Sequence, residues 1–176
     1  MAITLKIAGT TVEKDAVYSL RHKIFVEEEN RFHTAIPKVA DLYDSFDETV
    51  NILAYDEEQP IGSIRVIHAN PVGFPAQEHF NFDPFVKQHP QDTACIGWLC
   101  TLKKYRKHPG LVLGLFKVAI HEMNKRGHRY IIATIHPPLM ALLEPKFNAQ
   151  AYAEPFFCED IGVEMLPITI DIANFP

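Results

Sequence analysis

A run of basic residues precedes an apolar helical pattern in the second half of the chain. The run is Lys103-Lys104-Tyr105-Arg106-Lys107-His108, and Pro109 and Gly110 follow it directly before Leu111. Backbone N–H groups at the start of a helix have no partners within the helix, and the helix dipole adds positive potential there. Phosphate groups bind at such positions, and a glycine lets them approach the backbone. The spacing therefore predicts a phosphate or pyrophosphate site at this turn, with a solubilising turn as the alternative.

Paired carboxylates precede a strand pattern in the first third of the chain. They lie within Asp41-Leu42-Tyr43-Asp44-Ser45-Phe46-Asp47-Glu48. Carboxylates can hold a cationic amine or accept its proton as a general base. The spacing fits no EF-hand loop, which needs acidic residues at alternate positions and a central glycine. An acidic surface loop is the alternative, and composition alone favours it.

Two arginines interrupt apolar patterns. Arg21 lies in an amphipathic helical segment, and Arg65 lies in the apolar strand pattern Ile61–Ile67. An arginine that is buried in such a strand needs a carboxylate partner. Asp44 and Asp47 are the nearby candidates, and a structural ion pair is compatible with a functional one.

One histidine follows a buried strand pattern. His136 comes directly after Tyr130–Ile135, at a strand end where open sheets often place their sites. It is a candidate catalytic residue, and a structural histidine is the alternative. His121-Glu122 begins like a zinc-protease helix, but the second histidine is replaced by Lys125, so that interpretation fails.

Composition limits the class of protein. The chain has 176 residues, 47% of them hydrophobic and 22% charged, which predicts one globular domain over residues 1–176. It has no apolar run of about 18 residues and no signal-peptide core, so we expect a cytoplasmic protein without a membrane span. A net charge of −5 argues against nucleic acid as a partner. Three cysteines without zinc-type spacing argue against disulfides and predict no metal site.

The charge is unevenly distributed. Residues 1–60 hold 12 acidic residues and six Lys/Arg, whereas residues 61–176 hold 10 and 11. This asymmetry fits an acidic site for a cationic group and a basic site for an anion. Solvated faces are the alternative.

Hydrophobic periodicity predicts an α/β or α+β domain with a mixed sheet. Strands are expected at residues 3–7, 50–55, 61–67, 93–102, 130–135, 156–158 and 163–172, and helices at residues 12–29, 111–125 and 139–143. Residues 70–90 hold four prolines and four phenylalanines and are expected to be a long loop. Such a loop either covers a substrate or is a packed structural excursion.

The order of these motifs resembles the GNAT superfamily of acyl-CoA-dependent N-acyltransferases. The resemblance runs from about residue 17 to residue 150 and is greatest to the branch that contains acyl-homoserine-lactone synthases and N-acyl amino acid synthases. It rests on four segments: Leu20-Arg21-His22-Lys23-Ile24-Phe25, Asp44-Ser45-Phe46-Asp47, Gly62-Ser63-Ile64-Arg65, and Lys107-His108-Pro109-Gly110-Leu111-Val112. The last segment matches the pyrophosphate loop of the superfamily except at Val112.

The resemblance implies a fold and an activity. The fold would be one GNAT-like domain with a mixed, mainly antiparallel sheet flanked by helices. The activity would be acyl transfer from acyl-CoA or an acyl carrier protein to a primary amine of a small molecule such as an amino acid, without a tightly bound cofactor. Ile96 and Leu99 stand where lactone synthases carry Glu and Arg, which argues against lactone formation. A non-catalytic acyl-CoA-binding module and a short-chain (acetyl) transferase are the alternatives.

The resemblance also implies roles for single residues. The donor would bind at Leu102, Arg106, Lys107, His108, Gly110, Leu111 and Val112. Asp44, Asp47, Arg65 and His136 are the catalytic candidates, and Arg21, Phe25, Trp98 and Cys100 are the substrate-binding candidates. Phe25, Phe80, Phe82, Phe85 and Trp98 would form an acyl pocket, although a hydrophobic core is the simpler explanation.

Overall fold

The computed structural model describes residues 3–31, 33–108 and 110–175. The strands are β1 (Ile3–Ile7), β2 (Thr49–Asp56), β3 (Gln59–Ile67), β4 (Thr93–Thr101), β5 (Tyr130–Ile135), β6 (Gln150–Ala151), β7 (Phe156–Cys158) and β8 (Val163–Asp171). The helices are α1 (Thr11–Arg21), α2 (Ala76–His79), α3 (Asp83–Gln88), α4 (Leu111–Lys125) and α5 (Met140–Phe147). A π-helical segment (His22–Glu28) continues α1, and 3₁₀ turns lie at Leu42–Ser45, Lys103–Tyr105 and Pro137–Leu139.

The start of α1 is fixed by a capping box. The Thr10 hydroxyl accepts a hydrogen bond from the Glu13 amide at 3.2 Å, and the Glu13 carboxylate accepts the Thr10 amide at 2.9 Å. This reciprocal arrangement satisfies two N–H groups that a helix start leaves without partners. At the other end the helix widens, because the Glu29 amide donates to the carbonyl of Ile24, five residues back, at 2.9 Å. The helix predicted for residues 12–29 is therefore confirmed in extent, but its last seven residues are π-helical.

The first compact unit comprises the described residues up to Val66 together with Trp98–Ala119. Its sheet has the order β1-β2-β3-β4, and β1 pairs antiparallel with β2 from Ile3↔Asp56 to Ile7↔Ile52. The carbonyl oxygen of Cys100 on β4 would lie 3.1 Å from a β-carbon at Gly62 on β3. A glycine at position 62 therefore lets these two backbones approach closely.

The second compact unit comprises Ile67–Gly97 and the described residues from Ile120 onwards. Within the second unit the strand order is β4-β5-β8-β6, with β7 on β8. The β4–β5 pairing is parallel over Thr93–Cys95, and β5 pairs antiparallel with β8 along its whole length. The mixed sheet and the closing strand pair predicted from the sequence are confirmed.

Residues 70–90 are not one long loop, contrary to the prediction. They contain α2 and α3, and Pro84 lies in the first turn of α3. Proline is compatible with the first turn of a helix because the N–H group it lacks has no partner there. The helix predicted for residues 139–143 begins one residue later and continues to Phe147. Strand β6 was not predicted, because two residues are too short for a periodic signal.

All three cysteines are free thiols, as predicted. None of the helices in the described part of the chain combines the length and the apolar character that crossing a membrane requires.

Candidate active site

A buried arginine anchors the site in the first unit. Arg21 is fully buried at the end of α1. Its Nη1 donates to Asp44 Oδ2 at 2.7 Å, and its Nη2 donates to Asn51 Oδ1 at 2.6 Å. Val17 and Leu20 are apolar residues of α1, and both are buried. Arg21 follows them by four residues and by one residue, so helical periodicity places its side chain on the same inward face.

The second buried arginine lies on β3 and shares the same carboxylate. Arg65 Nη1 donates to Asp41 Oδ1 at 2.6 Å and lies 3.1 Å from Asp44 Oδ2. Asp41 also accepts a hydrogen bond from Trp98 Nε1 at 2.8 Å. We call Arg21, Asp44, Arg65, Asp41 and Trp98 the charge network. Its two positive and two negative groups balance.

A tight turn holds both carboxylates. Asp41 caps the 3₁₀ turn Leu42–Ser45, its Oδ1 accepting the Tyr43 amide at 3.0 Å. Asp44 closes the turn from the other side, its Oδ2 accepting the Asp41 amide at 3.1 Å. The three-residue spacing of the two aspartates therefore builds the turn and directs both carboxylates toward the arginines.

Burial and charge act in opposite directions on Asp44. Burial raises the pKa of this carboxyl group, but Arg21 and Arg65 more than reverse that effect, so the pKa lies below its ordinary value. Asp44 is therefore ionised throughout the neutral range, with its oxygens already engaged by donors. A carboxylate in that state holds the arginines in place and is a poor proton acceptor.

Trp98 forms the aromatic wall of the charge network. The Arg21 guanidinium lies 5.1 Å from the centre of the indole ring, and Phe25 packs edge-on against the ring at 5.3 Å. The backbone of Trp98 is in the left-handed region, with φ of 50°, in the middle of β4. Such a conformation is rare for a bulky residue and is typical of positions with a functional constraint.

Cys100, two residues further along β4, is buried and unsuited to nucleophilic chemistry. Its sulfur lies 3.3 Å from the Ser63 hydroxyl. Burial raises the pKa of the thiol, and the Ser63 contact only partly opposes this. Leu102 is also buried, and its amide donates to the Ile61 carbonyl at 2.9 Å.

The basic turn is anchored to the π-helical segment. Arg106 Nη2 lies 2.8 Å from Glu29 and 3.4 Å from Glu28, and Glu28 also accepts the Lys103 amide at 2.9 Å. Arg106 is thus already paired with carboxylates, whereas Lys107 is exposed. Lys107 is the better candidate of the two for a phosphate group.

Helix α4 starts where the sequence predicted it, at Leu111. The Gly110 amide donates to His108 Nδ1 and the Leu111 amide donates to the His108 carbonyl, both at 3.3 Å. Gly110 is exposed, Leu111 is buried and Val112 is half-buried. Pro109 lies outside the described residues. The anion site expected at the start of this 15-residue helix stays a prediction, and the Gly110 amide would have to exchange His108 for the anion.

An open groove of about 830 Å³ lies beside the basic turn in the first unit. Its lining combines α1, the start of β3 and the turn after β4, and includes Ser19, Lys23, Pro60, Leu102 and Lys103. Leu102 supplies an apolar floor and the two lysines supply positive charge. The groove therefore has the character required for a ligand with both an apolar and an anionic part.

Comparisons with known proteins identify the family. A family model described as the N-acyl amino acid synthase FeeM matches residues 16–171. The chain belongs to the FeeM family of N-acyl amino acid synthases. It is an N-acyltransferase, as the sequence predicted. Curated protein sequences contain no significant match.

Solved structures share the fold of this FeeM-family chain. FeeM, an N-acyl amino acid synthase from uncultured soil microbes, superposes with a TM-score of 0.80 at 10% identity, over 98% of this chain and 92% of that one. The CoA-dependent acyl-homoserine lactone synthase BjaI gives 0.74 at 18% identity, over 98% and 85%. An acyl-CoA N-acyltransferase from Pseudomonas aeruginosa gives 0.69 at 17%, over 96% and 99%. These likenesses establish the GNAT-like fold of this family member.

The structure of this FeeM-family chain brings most of the predicted site residues into the first unit. Arg21, Asp44 and Arg65 are in direct contact, and Phe25 and Trp98 pack beside them. Asp47 lies in the same unit but is exposed in the turn before β2. The second carboxylate partner of Arg65 is Asp41. Asp41 stands three residues before Asp44, just as Asp47 stands three residues after it. That spacing was a signal for Asp41 in the sequence.

His136 and the aromatic loop lie in the second unit. His136 is exposed at the end of β5, where its carbonyl accepts the Leu139 amide at 2.9 Å. Phe82 is fully buried and stacks on Tyr152 at 5.3 Å, and Phe80 and Phe85 pack edge-on against Tyr152 at 6.0 and 5.8 Å. Phe82 is therefore a core residue of that unit, whereas Phe80 and Phe85 are half-buried around it. These contacts favour the core explanation for Phe82 and give no support to an acyl pocket formed by the three rings.

Proposed function

We propose that the chain transfers the acyl group of acyl-CoA, or of an acyl carrier protein, to the amino group of an amino acid. The observation that carries this proposal is the charge network, which joins two buried arginines, two aspartates and an indole in the same compact unit as the basic turn and the groove. The acceptor ammonium group first releases one proton to a base. The neutral amine nitrogen then attacks the thioester carbonyl, the C–S bond breaks, and the departing thiolate takes up the second proton that the nitrogen loses. The reaction needs no other reactant.

The donor is expected at the turn before α4. Lys107 and the backbone around Gly110 and Val112 would meet the phosphate groups, and the pantetheine arm would follow β4 near Leu102. The exposed state of Lys107 and Gly110 supports this assignment. Arg106 would contribute to phosphate binding only after its ion pairs with Glu28 and Glu29 had broken.

The acceptor is expected at Asp41. The Asp41 side chain is 31% exposed, whereas that of Asp44 is 3% exposed. Asp41 is therefore the end of the charge network that solvent reaches, and its carboxylate has the charge to hold an ammonium group. Asp44 would act as a positioning residue, because it aligns Arg21 and Arg65. The assignment of His136 as a general base stays a prediction.

Thiol release from acyl-CoA in the presence of a panel of amino acids tests the acceptor assignment. Asp41→Asn keeps the size of the side chain and removes its charge, so we expect KM for the amino acid to rise at least tenfold while KM for acyl-CoA stays within twofold. Asp47→Asn is the matched control and should behave as wild type. Equal effects of the two variants would contradict the role of Asp41.

Calorimetry with acyl-CoA tests the donor assignment. Lys107→Glu should weaken binding at least tenfold, because a repulsive charge replaces an attractive one at the phosphates. Lys117→Glu is the control, since Lys117 is also exposed but lies further along α4. Binding without thiol release for any amine would identify a non-catalytic acyl-CoA-binding module, and turnover of acetyl-CoA alone would identify a short-chain transferase. Unchanged binding by Lys107→Glu would contradict the donor assignment.

A further inference from the structure

Three potential metal ligands meet in the second unit, and one of them, His79, is distant in sequence from Cys158 and Asp160. His79 is the last residue of α2, Cys158 is the last residue of β7, and Asp160 lies in the turn before β8. One ligand atom of each lies within 4.8 Å of the corresponding atoms of the other two. We infer that these three residues form a binding site for a divalent cation of the zinc class.

The closest pair in this cluster has the spacing that zinc requires. Cys158 Sγ lies 3.6 Å from His79 Nδ1. Two ligands of a tetrahedral zinc ion, with Zn–S of about 2.3 Å and Zn–N of about 2.0–2.1 Å, stand about 3.5–3.6 Å apart. The third ligand, Asp160, is exposed, and its ligand oxygen lies within 4.8 Å of the other two ligand atoms. Coordination therefore requires this oxygen to approach by roughly 1 Å.

The ligand types also select among metals. A thiolate, an imidazole and a carboxylate together favour zinc over magnesium or calcium, which prefer oxygen ligands alone. Three protein ligands leave the fourth tetrahedral position open to water. Cys158 is buried, His79 is half-buried and Asp160 is exposed, so the cluster runs from the interior to solvent and an ion can enter from the Asp160 side.

Metal binding here would link two short elements that have little stability of their own. Helix α2 has four residues and β7 has three, so each gains little from its own hydrogen bonds. An ion held by His79 and Cys158 would fix α2 to the β7–β8 hairpin. Binding converts the Cys158 thiol to a thiolate and releases its proton to solvent. The stability of the second unit should then depend on zinc.

Cobalt(II) titration of the reduced full-length protein tests the site. We expect one equivalent to produce a thiolate-to-cobalt charge-transfer absorption, together with the visible bands of tetrahedral cobalt, and zinc to abolish both. Cys158→Ser should remove the charge-transfer absorption. Free zinc at a hundredfold excess over Kd should raise Tm by about 5–10 °C.

Matched surface variants keep the test decisive if Cys158→Ser does not fold. Asp160→Asn should weaken cobalt binding at least about tenfold. Glu159→Gln, which removes the neighbouring exposed carboxylate, should leave binding within twofold. Absence of the charge-transfer absorption in the wild type would overturn the proposal and would identify the 3.6 Å contact as a plain thiol–imidazole hydrogen bond. Equal weakening by Asp160→Asn and Glu159→Gln would also overturn it.

Discussion

The variant Arg21→Met should destabilise the fold strongly and in a pH-dependent way. Methionine has a similar length but no charge, so it removes the 2.7 Å bond to Asp44 and the 2.6 Å bond to Asn51. Removal of one partner of a buried ion pair costs about 3–5 kcal/mol. Asp44 keeps Arg65 at 3.1 Å, so we expect the lower end of that range, about 3 kcal/mol.

A second variant of the same region provides a reference for this loss of stability. Lys23→Met removes an exposed ion pair with Glu27, whose atoms stand 2.5 Å apart. Exposed pairs four residues apart on a helix contribute little to stability, because solvent and salt screen them. Arg21→Met should therefore lower the free energy of unfolding several times more than Lys23→Met. Both variants remove one positive group from an ion pair, so the difference reflects the burial of Arg21 together with its additional hydrogen bond to Asn51.

The pH dependence separates lost charge pairing from lost packing. In the wild type the pKa of Asp44 is lowered on folding, so its contribution is present above the unfolded pKa of about 3.9 and disappears as the pH falls through the folded pKa. In Arg21→Met only one guanidinium opposes burial, so the pKa of Asp44 rises. The carboxyl group is then protonated sooner, and the loss of stability relative to wild type should shrink between pH 7 and pH 3.

Urea unfolding provides the measurement. Trp98 is the only tryptophan in the chain and donates to Asp41, so its fluorescence reports on the charge network directly. Far-UV circular dichroism gives an independent signal. A loss of stability equal to that of Lys23→Met, or one that is constant between pH 7 and pH 3, would refute the reasoning. If Arg21→Met does not fold, Asn51→Ala should still lower stability by about 1.5–3 kcal/mol, because it removes hydrogen bonds to the charged groups of Arg21 and Asp44.

Two further predictions concern groups outside the charge network. Burial, followed by Arg126 and the stacked His128 ring, lowers the pKa of His68 to about 3, so stability should fall by up to a few kcal/mol as the pH decreases from about 6.5 to 3. His68→Phe should flatten that slope in pH-dependent urea unfolding, and an unchanged slope would contradict the assignment. Gly62→Ala should destabilise by about 1–3 kcal/mol, because its β-carbon would crowd a backbone carbonyl, whereas an alanine at Gly97 meets nothing within 4 Å and should be nearly neutral.

Regular elements with strong periodicity were predictable from the sequence. The bounds of α4 and β5 agree with the prediction residue by residue, because their apolar positions repeat cleanly and Gly127, with φ of 78°, ends the helix region. The π-helical end of the α1 region was not predictable, since the same apolar spacing suits an α-helix. Residues 70–90 were misjudged because proline was interpreted as a loop signal, although a proline in the first turn starts a helix equally well.

The candidate site was predictable in its residue types and less so in its pairing. Arg21, Asp44 and Arg65 were expected to pair, because buried arginines require carboxylates, and they do. The choice between Asp41 and Asp47 could not be made from spacing, because both stand three residues from Asp44. Only the fold shows that the turn at Leu42–Ser45 directs Asp41 inward and leaves Asp47 exposed. The proximity of His79 to Cys158 was likewise invisible in the sequence.

The charge network is better explained by positioning than by stability. Buried ion pairs contribute little net stability compared with apolar side chains of the same volume. The ion pairs instead hold the side chains of the charge network in one conformation. Arg65 and Trp98 both donate to Asp41 and thereby fix its carboxylate at the solvent-exposed end of the charge network. An acceptor ammonium placed by that carboxylate gains from a rigid partner, because no side-chain freedom is lost when it binds. The same rigidity explains how β4 can hold Trp98 in a left-handed conformation, since the network fixes the indole from two sides.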